Sequence, residues 1–281
     1  MPIKSYIHNI LYIDNMFKNI LNKNTANYWF ISSFLIISAM IFLFVFIPII
    51  TMLLNPGDIS TAIRDKEVIG AIMVSLKAAF TATLMALIFG VPLSYIFSRY
   101  EFKGKNIIEA IIDMPMAIPH SVIGIMLLTV ICGTPIGELL KNYGVVLVDN
   151  FWGIVIVMLY VGIPFMINSA KNGFFMIDEE LENVSRTLGA SQIRTFFSIS
   201  LPLIKNNLIS GSILAFARGI SEVGAILIMA YFPKTAPVLI LDRFNEYGLN
   251  ESKPIAAIMI IISILLFATL RIFQSKNKRE S

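Results

Sequence analysis

Long apolar runs alternate with shorter polar ones along this chain. Six runs reach or approach the roughly 18–20 residues that cross a bilayer core of about 30 Å. They are Tyr28 to Leu54, Gly70 to Phe97, Ile107 to Cys132, Phe151 to Ile167, Asn207 to Phe232 and Pro254 to Phe273. Pro115 and Pro119 break the third run, and Pro164 lies near the inner end of the fourth. Backbone groups in hydrocarbon have no water to bond, and barrel strands would be about half as long and alternating, so the runs must be helices. The expected fold is an all-α integral membrane protein with six transmembrane helices, dimerising around a pathway. Ahead of the first run, residues 3–21 interleave Ile3, Ile7, Ile10, Leu11, Phe17, Ile20 and Leu21 with Lys4, Asn9, Asp14, Asn15, Lys18 and Asn19. That spacing predicts an amphipathic helix within 1–27, lying on the inner membrane surface or against a partner subunit.

Composition agrees: 57% of residues are hydrophobic and 14% charged, against about 25% charged in a soluble domain. The formal charge is +4, but the basic residues sit between spans, so nucleic acid is not implied. Fourteen Lys and Arg fall on the side of the termini, the second-to-third loop and the fourth-to-fifth loop, against six on the other side. The positive-inside rule then puts both termini in the cytoplasm of a multi-pass protein of the cell membrane. No cleavable signal peptide is read at the start. The outer connections are short: Asn55 to Ile69 opens on an Asn-Pro-Gly turn signal, and Gly133 to Asn150 holds a possible short helix. Cys132, alone in an apolar run, reads as a small core residue. With two histidines far from it, neither a metal site nor a cofactor is expected.

The longest polar-rich segment is Asp178 to Pro202, which the charge count places inside. Four acids in its first five residues suit a helix N-terminus. Leu181, Val184, Leu188, Ile193 and Phe196-Phe197 give it an apolar face, Gly189-Ala190 offers a close-contact spot, and Pro202 breaks or starts a helix at the next span. The segment resembles the cytoplasmic signature of the membrane subunits of binding-protein-dependent ABC importers: Glu-Ala-Ala, three residues, Gly, nine residues, Ile-x-Leu-Pro. Gly189 and Ile199-Ser200-Leu201-Pro202 match at that spacing. Asn183-Val184-Ser185 replaces Glu-Ala-Ala, with Glu182 one position early. The resemblance implies an ATPase-coupling loop over 171–206, with Glu182, Asn183, Val184, Ser185, Leu188, Gly189, Ala190 and Ser191 as its coupling residues. It also implies partners: a second permease copy, two cytoplasmic ABC ATPase subunits and an extracytoplasmic oxyanion-binding protein, all at a lipid membrane. No Gly-x-x-x-x-Gly-Lys-Ser/Thr phosphate loop occurs, so ATP is hydrolysed elsewhere and the chain is not itself an enzyme.

Further stretches resemble the molybdate, tungstate and sulfate branch: Ser75 to Ala79, Gly90 to Tyr95, Asp113 to Pro119, Thr187 to Ser191 and Ala217 to Ala225. They imply oxyanion import, with molybdate or tungstate favoured and sulfate or thiosulfate as the alternative; a secondary transporter or channel without an ATPase is the more distant reading. Arg218 falls near the middle of the fifth run, four residues from Glu222, and the two can pair on one helix face. Either they face the pathway, Arg218 offering positive potential to an oxyanion, or they are a structural pair between helices. Pro115, Pro119, His120 and Ser121 likewise line the pathway or form a packing kink. Lys77 can snorkel to the outer interface, and Asp113 can meet a basic residue on the cytoplasmic side. The domain plan is 1–27 amphipathic segment, 28–274 transmembrane domain and 275–281 basic tail.

Overall fold

The computed structural model describes residues 28–277, which are helical with short connections. The amphipathic segment expected within 1–27 and the last four residues of the tail lie outside the described residues. The chain divides into two units at Asn55/Pro56. In the first, helix α1 (Tyr28–Leu54) is apolar along its whole length.

The second unit starts with the turn that Asn55-Pro56-Gly57 announces: Gly57 takes φ +76°, a left-handed value that glycine adopts without a Cβ penalty. Asp58 then caps α2 (Ile59–Arg64), and Asp65 caps α3 (Lys66–Arg99) by accepting from Glu67 N–H at 2.8 Å. At 1.5 Å per residue, 34 residues make a rod of about 50 Å, longer than the hydrocarbon core. Next come α4 (Lys105–Asp113), a 3₁₀ turn at Met114–Met116, α5 (His120–Gly133) and α6 (Pro135–Asn142). Helix α7 (Phe151–Phe175) runs eight residues past the expected Ile167. Its polar last turns are satisfied by neighbours: Asn168 donates to Asp113 at 2.7 Å, Ser169 to the Asn207 carbonyl at 2.7 Å, and Lys171 pairs with Glu109 at 3.2 Å. Asp113 thus meets an amide rather than the expected cation.

Helices α8 (Glu179–Thr187) and α9 (Gln192–Thr195), a π-helical turn (Phe196–Ser200) and α10 (Leu201–Leu203) form the long connection after α7. They lead into α11 (Lys205–Ile220), α12 (Gly224–Met229), α13 (Ala236–Tyr247) and α14 (Leu249–Asn277). Helix α14 takes in the first residues of the predicted tail. Helix α13 replaces what reads in sequence as an outer connection. It is tied to the start of α3 by Arg243, which reaches Asp65 at 3.0 Å and Glu67 at 2.7 Å.

Among the described residues, four helices are long and apolar enough to cross a membrane, and two bent pairs bring the number to as many as six. The third run is a bent pair: its halves meet at 114°. It is therefore not one kinked rod, because Pro119 is extended at ψ 137° and α5 starts afresh after it. The fifth run also departs from a single helix. Within it α11 stops at Ile220 and α12 begins only at Gly224, and ahead of it the segments before and after Ile204 meet at 71°.

Helices α3, α7 and α11 pack on one another. Ala78, Ala79 and Ala82 of α3 lie in the same buried cluster as Val157, Met158 and Val161 of α7. Small residues let backbones approach, which is where helix association in lipid gains its dispersion energy. At Gly162, a Cβ would stand 3.0 Å from the Ala215 carbonyl oxygen. Two buried serines supply cross-links. Ser94 donates to Ile167 O at 3.0 Å, and Ser75 accepts from Ala236 N–H at 2.8 Å. Cys132 is exposed in the last turn of α5, not in the core where its apolar run suggested.

Candidate functional site

The connection from α7 to α11 is assembled by local hydrogen bonds. Asp178 caps α8, accepting from Glu180 N–H at 3.0 Å. The helix ends where Gly189 adopts φ +91°. Gly189 N–H then bonds Arg186 O at 3.0 Å and Ala190 N–H bonds Ser185 O at 3.1 Å, the pair that closes a helix through a left-handed glycine. Ser191 caps α9, accepting from Arg194 N–H at 3.3 Å, and Ser185 meets Thr195 at 3.1 Å between hydroxyls. Pro202 cannot donate to the turn before it and its ring crowds the preceding carbonyls; the wide π turn at Phe196–Ser200 gives that room.

The outcome is an exposed apolar ledge. Leu188 is 84% exposed, and Leu181, Val184 and Ile193 are exposed beside it. An open groove of about 650 Å³ runs along α8, lined by Leu181, Val184, Ser185, Leu188, Ala190 and Ile199 among others. Among the described residues, nothing apart from its own chain neighbours lies within 4 Å of where a Gly189 Cβ would stand. Asn183 is exposed as well. Glu182 is the exception among the coupling residues. It is 7% exposed and does not line the groove.

Glu182 faces the body of the protein. Its Oε1 accepts from Arg99 Nη2 at 2.9 Å, Arg99 Nε at 3.2 Å and Ser200 Oγ at 2.8 Å, and its Oε2 from Tyr95 OH at 3.0 Å. Burial alone would raise this carboxyl, but the bonds from Arg99, Ser200 and Tyr95 and the arginine's charge outweigh it and hold the group below the ordinary glutamate range. Arg99, Tyr95 and Ser200 escape a reading by motif.

A second polar cluster lies where the third and fifth runs break. Pro115 is buried in the 3₁₀ turn, Pro119 precedes α5, and His120 and Ser121 open that helix on its exposed side. Glu222, at 0% exposure, sits in the gap between α11 and α12. It accepts from Ala225 N–H at 3.0 Å, meets His120 Nδ1 at 2.6 Å and pairs with Arg218 Nη1 at 2.9 Å. The Arg218–Glu222 pairing expected from their spacing is present, but it closes across the end of α11 rather than along one helix. Arg218 Nη2 lies 2.8 Å from His120 Nδ1 and 3.1 Å from its Nε2. Both oxygens of the Glu222 carboxylate, which would be costly in hydrocarbon, are bonded. Arg218 is a compensated charge rather than a free cation. Packing holds the cluster shut: a Cβ on Gly124 of α5 would meet Ala225 O and Ile228 Cβ, each at 2.9 Å. Among the described residues no group of three or more His, Cys, Asp or Glu is placed to hold a metal ion.

Comparisons with known proteins agree with this architecture. Residues 86–279 match the family model for the binding-protein-dependent transport system inner membrane component. The molybdate/tungstate transport system permease protein of Methanocaldococcus jannaschii is 62% identical over 234 residues, covering 83% of this chain and 92% of that protein. A probable sulfate transport system permease protein of Chlorokybus atmophyticus is 33% identical over 248 residues, covering 85% and 87%. In fold, the chain resembles one in the crystal structure of a bacterial alginate ABC transporter in complex with an alginate pentasaccharide-bound periplasmic protein, with a TM-score of 0.69 at 17% identity over 90% of this chain and 94% of that one. This chain belongs to the inner membrane components of binding-protein-dependent transport systems, the multi-pass permease subunits of ABC importers.

Proposed function

We propose that this chain is the permease of a molybdate/tungstate importer, in which two copies enclose the pathway. Two cytoplasmic ATPase subunits dock on the 171–206 loops, and an extracytoplasmic binding protein delivers the oxyanion. The observation that carries the coupling role is the exposed Leu188–Gly189 end of α8 beside an open groove, on a loop between two apolar helices. Apolar side chains held out at a helix end, with small residues next to them, suit insertion into a cleft of another protein. The cargo is favoured by the names of relatives: 62% identity to a molybdate/tungstate permease against 33% to a probable sulfate permease.

Pro119, His120, Ser121 and Arg218 are proposed to line the pathway at the level of the two breaks, with Pro115 and Glu222 buried behind them. An arginine already paired with Glu222 attracts a divalent oxyanion without trapping it, and conduction needs binding weak enough to release. The test is reconstitution in proteoliposomes with the ATPase and with binding protein loaded with tungstate, molybdate or sulfate. ATP-dependent uptake of tungstate and molybdate over sulfate is expected. Uptake without ATP, or no co-purifying ATPase, overturns the importer reading for this chain; equal sulfate uptake overturns the cargo. Arg218→Met should abolish uptake while the complex still assembles, and normal uptake in that variant removes the pathway role.

A further inference from the structure

Glu182 falls inside the coupling signature yet turns away from the groove, and that contradiction has a mechanical reading. Four hydrogen bonds from Arg99, Tyr95 and Ser200 converge on its carboxylate. Arg99 and Tyr95 belong to the inner end of α3, and Ser200 to the π turn that leads toward α11. Arg99 also donates to Ile177 O at 3.3 Å, just ahead of α8, and Gln192 of α9 donates to Tyr100 at 2.9 Å. The short helix α8 is therefore locked to the end of α3, a continuous helix of 34 residues whose other end is tied to α13. A charge-assisted, buried cluster resists shear more than an apolar contact does, because sliding would leave a buried charge unpaired.

We propose that Glu182 is a positioning residue and not an ATPase contact. With Arg99 it clamps α8 to α3, so that displacement applied at Leu188–Gly189 moves α3 and the start of the fifth span as one body. This rests on the reading that the loop docks an ATPase. Glu182→Gln keeps the shape of the side chain and removes its charge. In the full complex with binding protein and tungstate, that variant should co-purify with the ATPase and hydrolyse ATP as the wild type does. Tungstate moved per ATP hydrolysed should fall by about tenfold, within the range of a coupling free energy. Tyr95→Phe, which removes one neutral bond, should give a smaller loss in the same ratio and serves if the first variant folds poorly.

A second readout does not depend on transport. Spin labels at Thr187→Cys and Lys103→Cys, in a Cys132→Ser background, should keep one separation with and without ATP in the wild type. In Glu182→Gln the distribution should broaden. Loss of ATPase binding in Glu182→Gln would make the residue a contact and overturn the proposal, as would an unchanged transport ratio with an unchanged distribution. If the wild type itself fails to bind the ATPase, the docking reading falls first and the clamp's role falls with it.

Discussion

Gly189 holds a left-handed backbone that costs a residue bearing a Cβ about 1–2 kcal/mol. The space around it is open, so strain and size separate cleanly there. Gly189→Ala is expected to lower stability by about 1 kcal/mol and to retain ATPase binding, read by thermal unfolding and co-purification. Gly189→Trp carries the same backbone strain and adds bulk at the ledge; it should abolish co-purification while the solubilised protein stays monodisperse. Normal binding by the tryptophan variant would mean that the ATPase does not approach this end of α8. The close approach of α5 and α12 gives the opposite case. At Gly124 the backbone is ordinary and the space is full, so Gly124→Val should destabilise through overpacking by about 1–3 kcal/mol, seen as a lower melting temperature.

Among elements, the α8–α3 clamp has a pH signature. The folded Glu182 carboxyl titrates below its unfolded value, so between those two values the unfolded chain holds more protons and stability rises with pH. The contribution is complete above the ordinary glutamate range and is lost as pH falls through the folded value. Melting temperatures of the wild type and Glu182→Gln should therefore differ by a fixed amount near neutrality and converge on acidification. A gap that persists into acid would place the destabilisation outside the carboxylate's charge. Sequence reveals these elements unevenly. Apolar length shows α1, α3 and the start of α7, because crossing a bilayer demands it. The last turns of α7 stay hidden, since Asn168, Ser169 and Lys171 look like a loop until Asp113, Asn207 and Glu109 are there to meet them. The 114° turn at Pro119 is announced as a break but not in its size, because proline forbids a hydrogen bond without choosing a direction. Ser221 to Val223 carries no breaker at all. Glu222 leaves the helix there to reach His120 and Ala225, partners 102 and 3 residues away.

At the level of the whole molecule, the distribution of charge sets which loop meets which compartment. On the six-span reading, fourteen Lys and Arg of the sequence fall in the segments on the side of the 171–206 loop and six in those on the other, a bias of the kind that orients short-looped membrane proteins. The bias predicts that Tyr143, 77% exposed after α6, faces outside and that Leu188 faces the cytoplasm, with α7 crossing between them. Both positions are exposed enough to label, and replacing Cys132 by Ser leaves no native thiol in the chain. In that background Tyr143→Cys should react with a membrane-impermeant maleimide on intact cells. Leu188→Cys should react only after permeabilisation. The reverse pattern would put the coupling loop outside, where no ATP is available, and would remove the ATPase-docking role together with the orientation. Labelling of both residues from outside would mean that α7 does not cross. The expected pattern, obtained in cells that also make the ATPase, should include protection of Leu188→Cys after permeabilisation. There the ledge on α8 is covered by its partner while Tyr143→Cys stays as reactive as before.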